Sequence, residues 1–359
     1  MTRPVLGSLD ELLAPSTLSE IEGRRVTAVT RRPFGSVDSL SGSHFLAVET
    51  GGEPGQRYVV KRIARAWDWL MRVTGDEHGR PVVAWRTGLL DRLPPEITHG
   101  IAGCARDGDG WAILMHDFSD HLIPPGDAPI SAADNERFLD GMAATHAACW
   151  GRPELADPAL GFCDLRHHYL EFAPAVVRQE VGAHPIPAQI LAGWALVPEL
   201  LAADVAAIVL PLLEDATPLC AALERFPQTV IHGDWKLGNL GLLPPPGRQI
   251  ILLDWAVVGP APPAVDLAWY LAVNSARLPV TKEAAIACFR AQLARRLGAR
   301  FDAAWWAPQL ALALLGGFLQ LGWPKLLGAA HGETEAVRAR EQAELTWWSA
   351  RIRAAARYL

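Results

Sequence analysis

The sequence predicts an α+β chain of two lobes, a small β-rich N-terminal lobe followed by a larger, mainly helical one. Three observations carry this. The first third alternates short β-branched and apolar runs with Gly- and Pro-rich turns. Beyond residue 116, long Ala/Leu-rich patterns of helical period dominate to the C-terminus. Only two short β-type runs, Thr229–Ile231 and Ile250–Leu253, interrupt those helices. The expected division is residues 1–115 and 116–359, with a hinge at about 115–119.

Taken in order, Arg25–Arg32 reads as a strand that ends at Pro33-Phe34-Gly35. The serine-rich loop Ser36–Ser43, with Gly42 its one glycine, opens into a strand over His44–Thr50. Gly51–Gly55 is a turn cluster before the next strand, Arg57–Ile63. Helical patterns cover Arg65–Val73 and Val82–Leu93, with Pro81 where the second begins. Ile97–Ala105 and Trp111–Met115 read as a hairpin across Arg106–Gly110. After Pro124-Pro125-Gly126, Ser131–Trp150 has the pattern of a strong amphipathic helix.

Composition excludes several classes. Of 359 residues, 50% are hydrophobic and 20% charged, which is too apolar for a disordered chain. The formal net charge is −6, against the basic face that nucleic acid usually draws. Residues 1–115 carry 14 basic and 14 acidic side chains, so the whole excess lies later and weakly favours a cationic or neutral partner there. The five cysteines form no CxxC pair and no even disulfide framework, which points to reduced thiols. Asp10 and Glu11 stand where a signal peptide needs an apolar run, so a cytoplasmic location is expected. The most apolar stretch, Trp305–Trp323, is interrupted by Pro308 and bounded by Pro324. It is expected to be a buried core helix, not a membrane span.

The chemistry concentrates in Val230–Leu240, which contains His232-Gly233-Asp234-Trp235-Lys236-Leu237-Gly238-Asn239, and in Asp254-Trp255 after the second short strand. Asp234, Lys236 and Asn239 put a carboxylate, an ammonium and an amide oxygen on one short loop, and a second carboxylate follows fifteen residues after Asn239. Carboxylate and amide oxygens are the hard donors that Mg²⁺ prefers. The remaining carboxylate is then free to take a proton from a hydroxyl nucleophile, while the lysine offsets phosphate charge. The bland alternative is a set of polar residues that only cap turns.

These motifs, in this order, resemble the aminoglycoside phosphotransferase / choline kinase-like family, whose members share the protein-kinase-like fold. The Asp-to-Asn spacing is that of the kinase catalytic loop. The resemblance covers most of the chain and implies an ATP- or GTP-dependent transfer to a small-molecule hydroxyl, with Mg²⁺ as cofactor. It implies that Asp234 is the catalytic base and that Lys236 approaches the γ-phosphate. Asn239 and Asp254 would be the Mg²⁺ ligands. Lys61, in Tyr58-Val59-Val60-Lys61-Arg62, would contact the α/β-phosphates. Ser36–Ser43, above all Ser41, Gly42 and Ser43, would cover the phosphates, and Met115, His116 and Asp117 would present backbone groups to the base. His232 and Asp266 are expected to support the loop, and Trp235 either lines the acceptor site or is purely structural.

The chain departs from the family in its phosphate loop, where the one glycine, Gly42, is a poor match to G-x-G-x-x-G, and, with more consequence, on the helix after the lysine strand. The glutamate that normally pairs with the strand lysine is absent, and the position where it is expected holds Pro81. Asp68 or Glu77 could substitute. A pseudokinase that binds nucleotide without turnover is the alternative function, against which the three retained groups argue. The acceptor is left open among aminoglycosides, sugars and amino alcohols.

Overall fold

A computed structural model describes residues 3–35, 41–52, 55–182, 184–247 and 249–359. Among them run ten strands: β1 (Val29–Phe34), β2 (His44–Thr50), β3 (Arg57–Ile63), β4 (Ile97–Thr98), β5 (Ile101–Asp107), β6 (Gly110–His116), β7 (Thr229–Ile231), β8 (Leu240–Leu242), β9 (Ile250–Leu252) and β10 (Gly259–Ala261). The chain is α+β, with a small sheet-bearing part and a large helical one.

Two compact units divide it. The first comprises Met1–Pro125, Pro158–Gly161 and Leu237–Ala256, and the second Gly126–Asp157, Phe162–Lys236 and Val257–Leu359. This differs from a single break at 115–119, and sheet pairing gives the reason. β9 pairs in parallel with β4 and antiparallel with β8, so backbone hydrogen bonds tie the 237–256 segment to the first unit. Ile97 and Thr98 therefore leave the predicted hairpin and serve this three-stranded sheet instead.

The first unit is built on an antiparallel sheet in the order β1-β2-β3-β6-β5. Alternate residues Val48, Tyr58, Val60, Ala112 and Leu114 are buried on one face, packed with Leu12 and Leu18 from short N-terminal helices. β1 runs through Pro33 because it is the edge strand, where a missing N–H costs no ladder bond. Its Arg31 and Arg32 are exposed. The pattern expected to be helical over Arg65–Val73 condenses to Trp69–Val73, capped by the Asp68 carboxylate on the Met71 N–H. The next helix spans Arg80–Arg86 and gives way to a 3₁₀ turn at Leu90–Arg92.

The second unit is helical, with β7 and β10 forming a two-stranded ribbon. Its amphipathic helix, Ala132–Ala148, starts at the N-cap Ser131, as the sequence predicts. Helix Ala303–His331 is long and apolar enough to cross a membrane, but 72% of its apolar window is buried within the protein. Neither proline ends it. The ring of Pro324 is accommodated by a kink, where Leu321 leaves helical geometry at φ −126°. The unit packs closely along this helix, where a Cβ on Gly316 would stand 2.3 Å from the Tyr169 ring.

Candidate active site

In the second unit, β7 delivers the chain into His232-Gly233-Asp234-Trp235-Lys236, and one buried carboxylate holds that loop. Asp266 lies in helix Ala264–Val273 and is fully buried. Its Oδ1 accepts the Gly233 N–H at 2.7 Å, and its Oδ2 accepts the His232 N–H at 2.9 Å and the Trp235 Nε1–H at 3.0 Å. His146 Nε2 lies 2.9 Å from the same Oδ2. Burial alone would raise this carboxyl, but the donors and the His146 and His232 rings outweigh it and hold Asp266 below the ordinary carboxylate range. Asn274 adds a clamp, its Nδ2–H donating to the Trp235 carbonyl at 2.9 Å.

The loop geometry also explains Gly233. Its φ is +84°, and a Cβ there would stand 2.7 Å from Val257 Cγ2 and 2.9 Å from the Val257 carbonyl oxygen. Trp235 is fully buried, with its indole spent on Asp266, so its role is structural and it does not line an acceptor site.

Asp234 emerges from this braced loop. Its N–H donates to His232 Nδ1 at 3.1 Å, and its Oδ1 accepts the Trp269 Nε1–H at 3.0 Å. Lys236 Nζ lies 3.3 Å from Asp234 Oδ2. Trp269 is the contact to Asp234 that the sequence did not reveal. It stands on the same helix as Asp266, and its ring packs with His168 and Phe172 at centroid distances of 6.0 and 6.3 Å.

The first unit gathers Lys61, Asn239 and Asp254. Lys61 sits on β3, and its Nζ donates to Asp254 Oδ1 at 2.8 Å across 193 residues of sequence. Asn239 is buried just before β8, and its backbone carbonyl accepts the Leu253 N–H at 2.9 Å, which fixes its main chain beside the end of β9. Asp254 has φ +67°, and among the described residues it is the one non-glycine with positive φ. Such strain in a non-glycine residue is characteristic of functional positions.

Asp68 stands near Lys61 where no helix glutamate is present. It is buried, and burial pushes its carboxyl up while Lys61 and the Ser43 hydroxyl draw it back down. Ser43 Oγ donates to Asp68 Oδ2 at 2.9 Å, and Ser41 Oγ lies 2.9 Å from Ser43 Oγ. Ser41, Gly42 and Ser43 are thus anchored to the 67–69 segment. The Trp69 N–H donates to the Ser41 carbonyl at 3.1 Å, and a Cβ on Gly42 would stand 2.6 Å from the Trp67 carbonyl oxygen. The rest of the expected phosphate loop, residues 36–40, lies outside the described residues. Glu77 is exposed and Asp91 pairs with Arg3 at 2.5 Å, so of the candidate acids Asp68 is the buried one whose charge Lys61 influences, while the ion pair of Lys61 is with Asp254.

Met115 and His116 close β6 and Asp117 follows. The His116 N–H donates to the Gly100 carbonyl at 2.9 Å and the Asp117 N–H to the Arg57 carbonyl at 3.1 Å. Both of these amides are therefore engaged within the protein.

Among the described residues no three His, Cys, Asp or Glu converge on a metal position. Mg²⁺ does not need such a cage, because it is commonly held by one or two protein oxygens together with substrate phosphates. Asn239 and Asp254 fit that donor set.

The sequence profile of the phosphotransferase enzyme family matches residues 39–308. No curated protein sequence matches the chain at a significant level. Among solved structures, the chain is similar to an ethanolamine kinase of Plasmodium vivax, at 11% identity and TM-score 0.49, covering 90% of this chain and 82% of that one. It is similar to a choline kinase of Streptococcus pneumoniae at 13% identity and TM-score 0.46, covering 94% and 98%. A third is an aminoglycoside phosphotransferase of Streptomyces rimosus in complex with ADP and streptomycin, at 17% identity and TM-score 0.45, covering 79% and 94%.

Proposed function

The chain belongs to the phosphotransferase enzyme family, and from that premise we propose that it moves the γ-phosphoryl group of ATP or GTP onto a hydroxyl of a small molecule. The observation that carries this reading is the Lys61–Asp254 pair. A strand ammonium and a strained carboxylate, far apart in sequence, meet at 2.8 Å with Asn239 fastened beside them.

The chemistry divides among the residues. Asn239 and Asp254 would hold Mg²⁺, which when bound offsets the negative charge of the nucleotide phosphates. Lys61 exchanges its carboxylate partner for the α/β-phosphates. Asp234, with Oδ1 fixed by the Trp269 indole, accepts the proton of the acceptor hydroxyl as its oxygen bonds to the γ-phosphorus. The bond from that phosphorus to the β,γ-bridging oxygen breaks, and the nucleoside diphosphate leaves. Lys236 offsets charge on the transferred group. The brace at Asp266 supports this assignment, since a base must be held in place for positioning to lower the barrier.

The acceptor is an aminoglycoside, a sugar or an amino alcohol. The test is a mass-spectrometric screen of the purified protein with MgATP or MgGTP against those three classes, with Asp234→Asn in parallel. A product 80 Da heavier than its acceptor, formed by the wild type and not by the variant, is the expected result. Equal product from both would overturn the role given to Asp234. No product from any class, with nucleotide still bound, would favour a binding protein without turnover.

A further inference from the structure

Two arginines, Arg86 and Arg106, lie apart from the residues above, within the first unit. The β5–β6 hairpin places Arg106 directly opposite Trp111, with its guanidinium 5.0 Å from the centre of the indole ring. Helix Arg80–Arg86 starts against that ring. The start is possible because Gly79 has φ +67° and no Cβ, which would otherwise stand 3.0 Å from the ring carbons. From there the helix buries Val82 and Val83 and leaves Arg86 exposed. The short 158–161 segment, which belongs to the same unit, contributes Pro158, Ala159 and Gly161 to the same lining.

Between them is a cavity of about 380 Å³, lined among others by His78, Val82, Val83, Arg86, Arg106 and Trp111. That volume is in the range of small-molecule sites. No Asp or Glu lines it. The acid beside Arg106 in sequence, Asp107, is taken by Arg62 at 2.6 Å, and among the described residues neither Arg86 nor Arg106 has an ion pair. In a chain of net charge −6, two guanidiniums in the lining of one hollow, beside Val82, Val83 and Trp111 and with no acid in that lining, make a local positive field. Lys61, Asn239, Asp254 and Asp234 are not part of its lining.

We propose that this cavity is a second binding site, for a small organic anion with an apolar body and a carboxylate or phosphate-monoester head. The valines and Trp111 take the body, and Arg86 and Arg106 supply the forked donors that match planar carboxylate or phosphate oxygens. Neither part suffices alone: an inorganic anion forgoes the apolar wall, and a neutral molecule forgoes the guanidiniums.

The experiment uses the full chain labelled with ¹⁵N at its indole nitrogens, with the Trp111 signal identified by its loss in Trp111→Phe. Phenyl phosphate, benzoate, inorganic phosphate and benzyl alcohol are titrated separately. The expected result is a saturable shift of the Trp111 signal by phenyl phosphate or benzoate, whichever is tighter naming the head group. Inorganic phosphate and benzyl alcohol should bind at least about tenfold more weakly. The pair Arg86→Ala/Arg106→Ala should weaken the aromatic anion on the order of tenfold or more, with an unchanged melting temperature showing that the fold is intact. The proposal is overturned if neither aromatic anion moves the Trp111 signal, if benzyl alcohol binds as tightly, or if the double variant retains wild-type affinity.

Discussion

Asp266 and Asp254 are the two carboxylates on which the candidate site depends, and they are held in opposite ways. Asp266 is fully buried and takes the N–H groups of His232, Gly233 and Trp235 together with the His146 ring. Asp254 is about a quarter exposed, meets Lys61, and sits on backbone at φ +67°. The first arrangement fixes a loop permanently. The second presents a charge whose partner can be exchanged, at the cost of local strain. The loop that carries the proposed base belongs to the rigid class, and the proposed metal ligand belongs to the exchangeable one.

The sharpest way to break that contrast is Asp266→Ala. Removing the carboxylate leaves four buried groups without their acceptor, and about 3–5 kcal/mol of folding stability should be lost, read from the urea midpoint. The pH dependence follows from the same network. The folded carboxyl is held below its unfolded value. Its contribution is therefore fully present above the ordinary carboxylate value of about 4 and is lost as pH falls toward the lowered folded value. Wild type should lose stability through that window, and Asp266→Ala should lose less. A parallel loss in both proteins would mean that the brace is not the source.

Gly233→Ala tests the same rigidity through the backbone. With φ +84° and Val257 within 2.9 Å of the added methyl, about 2 kcal/mol should be lost. An unchanged urea midpoint would show that the loop relaxes freely.

How far each region was legible in the sequence follows from the range of its contacts. Asp234, Lys236 and Asn239 lie on one short loop, so their spacing displays their relation, and β2 and β3 agree with the predicted strands because their alternation is local. Asp266 was readable as a brace through the family resemblance, which its place near the start of a helix fits. Trp269 was not, because a tryptophan on an apolar helix reads as packing and its partner lies 35 residues earlier. The same holds for Asp68 and Ser43, joined across 25 residues. Pro308 and Pro324 misled in the other direction: local propensity ends a helix there, but packing of helix Ala303–His331 carries it through with a kink. The return of the 237–256 segment to the first unit depends on a parallel β4–β9 pairing that no local pattern announces.

Trp269→Phe sharpens the comparison at Asp234 itself. The ring packing with His168 and Phe172 is kept while the indole N–H to Oδ1 is lost. Once an acceptor is known, kcat should fall about tenfold, or about 1.4 kcal/mol, with KM little changed. A rise in KM alone would make Trp269 a wall of the acceptor site instead of a positioning residue for the base.

The smallest effect separates strain from charge at Asp254. Asparagine tolerates left-handed backbone, whereas alanine at φ +67° bears the full Cβ penalty, so Asp254→Ala should be about 1 kcal/mol less stable than Asp254→Asn in urea. Both variants remove the carboxylate opposite Lys61, so the loss of that ion pair cancels to first order in the comparison. Both should also weaken Mg-nucleotide binding, because each removes the anionic ligand. If the two variants were equally stable while both bound nucleotide poorly, the left-handed backbone would carry no strain of its own. The exchangeable character of Asp254 would then rest on exposure and charge alone.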